Sequence, residues 1–212
     1  TFTMQFATRN AFDVANAEIV AYNTANLTFK TKTVTIVKTI SGVYVAPQSG
    51  SAITQNVNRG GSKQILDRFT IYTDKGSAIW SGLKLKHTGS LAPQRINLSL
   101  YKDTNYDTNF QADSDGLISY ASNPFETDKT EVTLNLKDNQ LINAVDSDKM
   151  TYFLVADFSM DNALGATFNM SIISANDVVV DTPNQVVASL LPHTTQEFVV
   201  QPYISRIELG VA

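Results

Sequence analysis

Arg95-Ile96-Asn97-Leu98-Ser99-Leu100-Tyr101 alternates apolar and polar side chains over the length of a strand. A period of two puts Ile96, Leu98 and Leu100 on one face and Asn97, Ser99 and Tyr101 on the other. One apolar face must be buried against a second layer, so the stretch predicts a half-buried sheet.

The same reading extends in both directions. Residues 64–72, 78–87, 131–136, 151–157, 167–173 and 197–201 predict further strands, with Val132, Leu134 and Leu136 facing inward. Residues 74–76 and 160–165 carry turn signals. Trp80, the single tryptophan, is expected between two sheets. Towards the amino end, residues 1–6, 27–40 and 43–46 read as extended. Residues 10–22 are ambiguous: Phe12, Ala15, Ile19 and Tyr22 recur at helical spacing, with Asn10 or Asp13 available as a cap. Residues 48–61 are polar and rich in Gly, Ser and Asn, hence a loop or hinge. In the closing strand, residues 203–211, Tyr203, Ile207, Leu209 and Val211 share a face.

About ten short strands without intervening long helices predict an all-β fold. The expected form is an antiparallel β-sandwich, Ig-like or jelly-roll-like, over residues 26–212, preceded by an N-terminal strand extension over 1–25. With 212 residues, 43% of them hydrophobic, a single β domain has ample core. A net charge of -4 supplies no basic surface for nucleic acid. No stretch approaches the ~20 apolar residues of a membrane helix. The absence of cysteine excludes disulfides and thiolate metal sites. The chain opens on Thr1, which fits removal of a signal peptide or trimming. An extracellular or cell-surface location is expected.

Directly after residues 95–101 comes an acidic run from Asp103 to Gly116. Calcium takes six to eight hard oxygen ligands, and loops with Asp or Asn at positions 1, 3 and 5 fold such oxygens around one ion. Asp103, Asn105 and Asp107 stand at those positions, Asn109 can offer its carbonyl, and Asp113 or Asp115 can close the shell. The run departs from the EF-hand form. Thr108 replaces the glycine at position 6, Ser114 stands at position 12, and no helix flanks the loop. A solvated turn is the simpler alternative, since Asp and Asn favour turns.

Residues 76–89, including Trp80, Leu83 and Leu85, then Ile96 to Asn105, and later 151–158 with Ala163, Gly165, Thr167 and Phe168, carry a resemblance. Together they resemble the calcium-loop β-sandwich modules of bacterial and archaeal secreted surface proteins, over roughly residues 60–174. In those modules a strand ends on a leucine-tyrosine-x-aspartate entry to a calcium-like loop. The resemblance implies that Asp103, Asn105 and Asp107 are ion ligands. Glycines often stand where this chain has Tyr106 and Thr108.

The residues do not point to an enzyme. His87 and His193 lie far apart, without a nucleophile elbow or metal-ligand spacing, and read as solvated or turn histidines. Gly60-Gly61-Ser62-Lys63 lacks the spacing of a phosphate loop. Asp157, at a strand end, is expected to bond backbone amides or to join the ion site. Tyr101, Tyr106 and Tyr120 lie in or near the acidic loop and could form a glycan platform, against edge packing as the plainer alternative. Asn26, Asn97 and Asn169 head N-x-S/T sequons and are candidate glycosylation acceptors.

Phe2, Met4 and Phe6 make an apolar stripe with no hairpin partner next in sequence. The strand can fold back onto its own chain or be donated to a neighbouring copy, where main-chain hydrogen bonds and alternate side chains would hold it. Repeated head to tail, such contacts build a filament. The sequence therefore points to a structural subunit of an extracellular filament, tube or surface assembly. It would be a homopolymer of secreted copies, glycosylated where the sequons are used, joined by strand donation and stiffened by calcium. A calcium-dependent adhesion or carbohydrate-binding module is the alternative.

Overall fold

The computed structural model describes residues 5–6, 29–30, 40–48, 56–92, 95–125, 130–144 and 150–202. The chain divides into two compact units, residues 1–39 and 40–212. In the first unit, β1 (Gln5–Phe6) pairs antiparallel with β2 (Phe29–Lys30), Gln5 opposite Lys30 and Phe6 opposite Phe29. Phe2, Met4, Asn26 and the ambiguous stretch 10–22 lie outside the described residues.

The second unit is a two-sheet sandwich. Its strands are β3 (Gly42–Pro47), β4 (Asn56–Asn58), β5 (Gln64–Thr73), β6 (Ser77–Thr88), β7 (Ile96–Lys102), β8 (Gly116–Ala121) and β9 (Glu131–Asn143). They continue with β10 (Thr151–Phe158), β11 (Thr167–Ile172), β12 (Val178–Val180), β13 (Gln185–Val186), β14 (His193–Thr194) and β15 (Phe198–Gln201). Sheet one runs β13-β3-β5-β10-β7-β8. Sheet two runs β12-β6-β11-β15-β4, with β9 on β6 and β14 on β11. The expected all-β sandwich is what forms, and helix among the described residues is confined to short 3-10 turns such as Ala175–Asp177 and Ala188–Leu190. The sheets are mixed. Most pairs are antiparallel, but β13 joins β3, and β15 joins β4, in parallel.

The core lies between the sheets and follows the period-two pattern. Ile96, Leu98 and Leu100 of β7 are fully buried, as are Tyr152, Leu154 and Ala156 of β10. Trp80 and Leu83 of β6, Phe168 and Met170 of β11, and Phe198 of β15 meet them from the other sheet. Trp80 packs edge-on against Tyr152 at 5.0 Å and donates its indole N–H to the Gly82 carbonyl at 2.8 Å. That bond settles the one polar atom of a side chain that is otherwise an apolar wedge. Each fully buried Leu, Ile or Phe of this kind contributes about 1.5–3 kcal/mol.

A second, smaller cluster sits on the outer face of sheet one. Tyr101, Phe153 and Val155 are buried there, with Phe110 packed against them. Tyr101 therefore points outward, as its alternation predicts, yet it is only 4% exposed.

Candidate metal-binding loop

Residues 103–115 join β7 to β8. Local hydrogen bonds from Asp and Asn side chains shape the loop. Asp103, fully buried, accepts the Tyr106 N–H on Oδ1 at 2.7 Å and the Thr108 N–H on Oδ2 at 2.8 Å. Asn105 Oδ1 accepts the Asp107 N–H at 3.2 Å, and Asp107 Oδ1 accepts the Asn109 N–H at 2.7 Å. These are successive Asx turns, in which a short side chain replaces a backbone acceptor two residues on. Tyr106 and Thr108 adopt φ of 60° and 61°, the left-handed region that glycine favours. Other side chains rarely enter that region because Cβ crowds the next carbonyl, at a cost of roughly 1–2 kcal/mol per residue. The two carboxylate bonds of Asp103 offset this cost, so the chain keeps the curl without the glycines.

The far end is closed by a second buried carboxylate. Asp115 Oδ2 accepts the Gln111 N–H at 2.7 Å, while its Oδ1 is buried with no hydrogen-bond partner. The residue as a whole is 7% exposed. Burial pushes the Asp115 pKa upward, and the charges of Asp103 and Asp107 push the same way, against backbone N–H groups of Gln111 and Thr104. Thr104 Oγ1 donates to the Ser114 carbonyl at 2.6 Å, tying the loop's two limbs together. Gln111 Nε2 reaches Asp107 Oδ2 at 2.6 Å, and Asn105 Nδ2 reaches the same oxygen at 3.2 Å. Asp113 is exposed and makes no hydrogen bond among the described residues. None of the four carboxylates has a Lys, Arg or His ion-pair partner among the described residues.

The donor set is the hard-oxygen kind that calcium takes. Asp103 and Asp107 carboxylates, the Asn105 amide oxygen, the Asn109 carbonyl and Asp115 Oδ1 come from one loop. Each hydrogen-bonded carboxylate oxygen keeps a second lone pair. The fit is incomplete. Among the described residues, no three His, Cys, Asp or Glu side chains form a group that could hold a metal ion. Asp107 Oδ2 is turned to the Gln111 and Asn105 amides. Of the two closing residues open from sequence, geometry favours Asp115, because Asp113 faces solvent.

Other sequence candidates fall elsewhere. Asp157 Oδ1 accepts the Lys63 N–H at 2.8 Å, the first of the two roles open to it from sequence. Asn97, on β7, uses Oδ1 to accept the Asn123 N–H at 2.9 Å and the Ser122 hydroxyl at 3.3 Å. Asn169, on β11 within sheet two, accepts the Thr88 hydroxyl. Tyr106 and Tyr120 are 59% and 50% exposed, but Tyr101 is covered and cannot belong to a glycan platform.

Both histidines depart from the solvated reading. His87 is buried beside Phe125 and Phe168, its Nε2 without a hydrogen-bond partner. His193 Nε2 lies 2.6 Å from Asp67 Oδ2. Asp67 stands opposite Leu154, on the core-facing side of β5, because a bulge lets Ile65 oppose Val155 and leaves Leu66 unpaired. The two partners are 126 residues apart in sequence, and no local pattern announces them.

No family model matches the chain, and no curated protein or solved structure is significantly similar to it.

Proposed function

We propose that the chain is a non-enzymatic structural module of an extracellular assembly, and that calcium clasps its 103–115 loop. The observation that carries the clasp is Asp115 Oδ1, a buried carboxylate oxygen without a partner beside Asp103 and Asp107. Burying a carboxylate oxygen without a hydrogen bond is costly, and a hard cation is a partner that would relieve it. The Asx turns and the left-handed Tyr106 and Thr108 support the reading, because they pre-curl the backbone as a calcium loop requires.

In this proposal, copies join by strand donation through residues 1–7. The apolar stripe Phe2, Met4 and Phe6 and the division of the chain at residues 39 and 40 support it. Within a single chain, Gln5 and Phe6 already pair with Phe29 and Lys30. Donation would exchange this short intrachain ladder for an equivalent one between copies. Exposed Tyr106 and Tyr120 favour a second reading, a calcium-dependent adhesion or glycan-binding surface.

Negative-stain micrographs and light scattering of the full chain, with calcium and with chelator, test the assembly. Concentration-dependent polymers that vanish on deletion of residues 1–7 are expected. Polymers that persist in the deletion variant overturn strand donation. Saturable binding on a glycan array, lost in Tyr106→Ala, would favour the second reading.

A further inference from the structure

We infer that Arg68, on the outer face of sheet one, anchors a binding site for a carboxylate. The site uses none of the oxygens of the 103–115 loop and stands whether or not that loop takes an ion.

Strand register places Arg68 there. It stands opposite Phe153 of β10, and Phe153 stands opposite Tyr101 of β7, so the three form a row across the outer face. The row is covered: Arg68 is 7% exposed, Phe153 0% and Tyr101 4%. The guanidinium carbon lies 5.8 Å from the Phe153 ring centre. That contact draws on the attraction of a cation for a ring face, but it engages none of the five N–H donors. Arg68 Nε is sealed from solvent without a hydrogen-bond partner, whereas the terminal nitrogens Nη1 and Nη2 are not sealed. Among the described residues, no carboxylate pairs with Arg68 and no acceptor takes a hydrogen bond from its guanidinium.

Its neighbours are matched. Lys63, the other cation on this face, donates from Nζ to the Tyr101 hydroxyl at 2.6 Å. Asp67, the residue before Arg68, meets His193 Nε2 at 2.6 Å and accepts the Arg68 backbone N–H at 2.8 Å. The Thr151 hydroxyl, on the same face two residues before Phe153, is sealed and also lacks a partner.

A buried charge is stable when it is paired and hydrogen-bonded. The planar fork of a guanidinium matches the two oxygens of a carboxylate. With Nε sealed and one face laid on Phe153, the open edge is the one that carries Nη1 and Nη2. A carboxylate therefore binds end-on through those two nitrogens. The acidic loop borders the same face, where Phe110 packs on Phe153 at 5.5 Å. The charges of Asp103, Asp107 and Asp115 disfavour a multiply charged anion such as phosphate, so a singly charged carboxylate is the class that fits. It can come from a small organic acid or from an acidic side chain of a second copy.

Heteronuclear NMR of the full chain tests this, because a sealed Nε–H exchanges slowly with water and reports on Arg68 directly. Sodium acetate is titrated against sodium chloride at matched ionic strength. The expected result is a saturable shift, with acetate alone, of the Arg68 Nε–H signal and of the Thr151 and Val155 methyl signals that flank Phe153. The Val43 methyls, buried in the main core, should not move. In Arg68→Gln the methyl response should weaken by at least an order of magnitude. Arg68→Lys keeps the charge without the fork and should fall between the two. Dilution in the absence of acetate separates the sources. Signals that move with chain concentration, and are reset by acetate, identify a carboxylate of a second copy; saturation by acetate without concentration dependence identifies a small acid. No saturable shift with acetate overturns the site, as does an equal shift with chloride. A methyl response that is unchanged in both Arg68 variants, or that extends to Val43, overturns it too.

Discussion

The sandwich interior and the 103–115 loop are neighbours held by opposite means. The interior is assembled from partners far apart in sequence: Trp80 against Tyr152, Phe168 against Phe198. Its cohesion is apolar burial, which is non-directional and indifferent to ions. The loop is assembled from partners two to five residues apart, and its cohesion is directional hydrogen bonding to carboxylates. The interior rests mainly on apolar groups, although His87 Nε2 is buried there without a hydrogen-bond partner, whereas the loop concentrates negative charge and a carboxylate oxygen in the same condition. That difference makes the loop, and not the core, the candidate functional site.

The largest test of the contrast is Trp80→Ala. Removing a fully buried indole should cost about 3–5 kcal/mol, and urea unfolding should show the same loss with calcium or chelator. A loss that depends on calcium would break the separation between the two regions. Next comes Asp103→Ala, which strips acceptors from the Tyr106 and Thr108 N–H groups and relieves nothing in their left-handed backbone. A loss of about 1–3 kcal/mol is expected, together with loss of any calcium-dependent rise in melting temperature.

Smaller and opposite effects of pH distinguish the two histidines inside the fold. Burial lowers the His87 pKa. The folded state then binds fewer protons, so its contribution is lost as pH falls through the unfolded value of about 6.5. For His193, burial pulls downward, but the hydrogen bond and charge of Asp67 outweigh it and the net shift is upward. Its contribution is full below the unfolded value of about 6.5 and fades as pH rises through the folded one. Unfolding curves across the histidine range, roughly pH 5 to 8, should therefore slope oppositely in the two variants when each is compared with wild type. Relative to wild type, His193→Gln should gain stability with rising pH, and His87→Leu should lose it. Parallel slopes would contradict the assignment. The smallest effect belongs to the exposed Lys84–Glu131 pair at 2.5 Å, where Glu131→Gln should leave melting unchanged.

What can be read from sequence follows the same division. Ile96, Leu98 and Leu100 declare their face because a strand's period is local and strict. Asp103, Asn105 and Asp107 declare a turn-forming loop because each reaches a backbone N–H within five residues. Tyr101 is legible as outward but not as buried, since its cover is a loop that folds back over the sheet. Strand β8 and the short β12, β13 and β14 escape, having too few residues or too mixed a pattern to show a period. The parallel joins of β13 to β3 and β15 to β4 connect distant segments, and no turn signal marks them. The His193–Asp67 pair is invisible for that reason too, and also needs a bulge at Leu66 to turn Asp67 inward.

Titration calorimetry of calcium into the full chain and into Asp115→Asn tests the clasp most directly. Asp115→Asn keeps the side chain's shape and an oxygen for the Gln111 N–H while removing the charge. The account predicts one binding event per chain in the wild type, weakened by at least an order of magnitude in the variant. At a hundredfold excess over Kd, binding should add about 2.7 kcal/mol of stability to the wild type. No heat of binding in the wild type, or equal binding by both proteins, would contradict the claim that Asp115 waits for an ion.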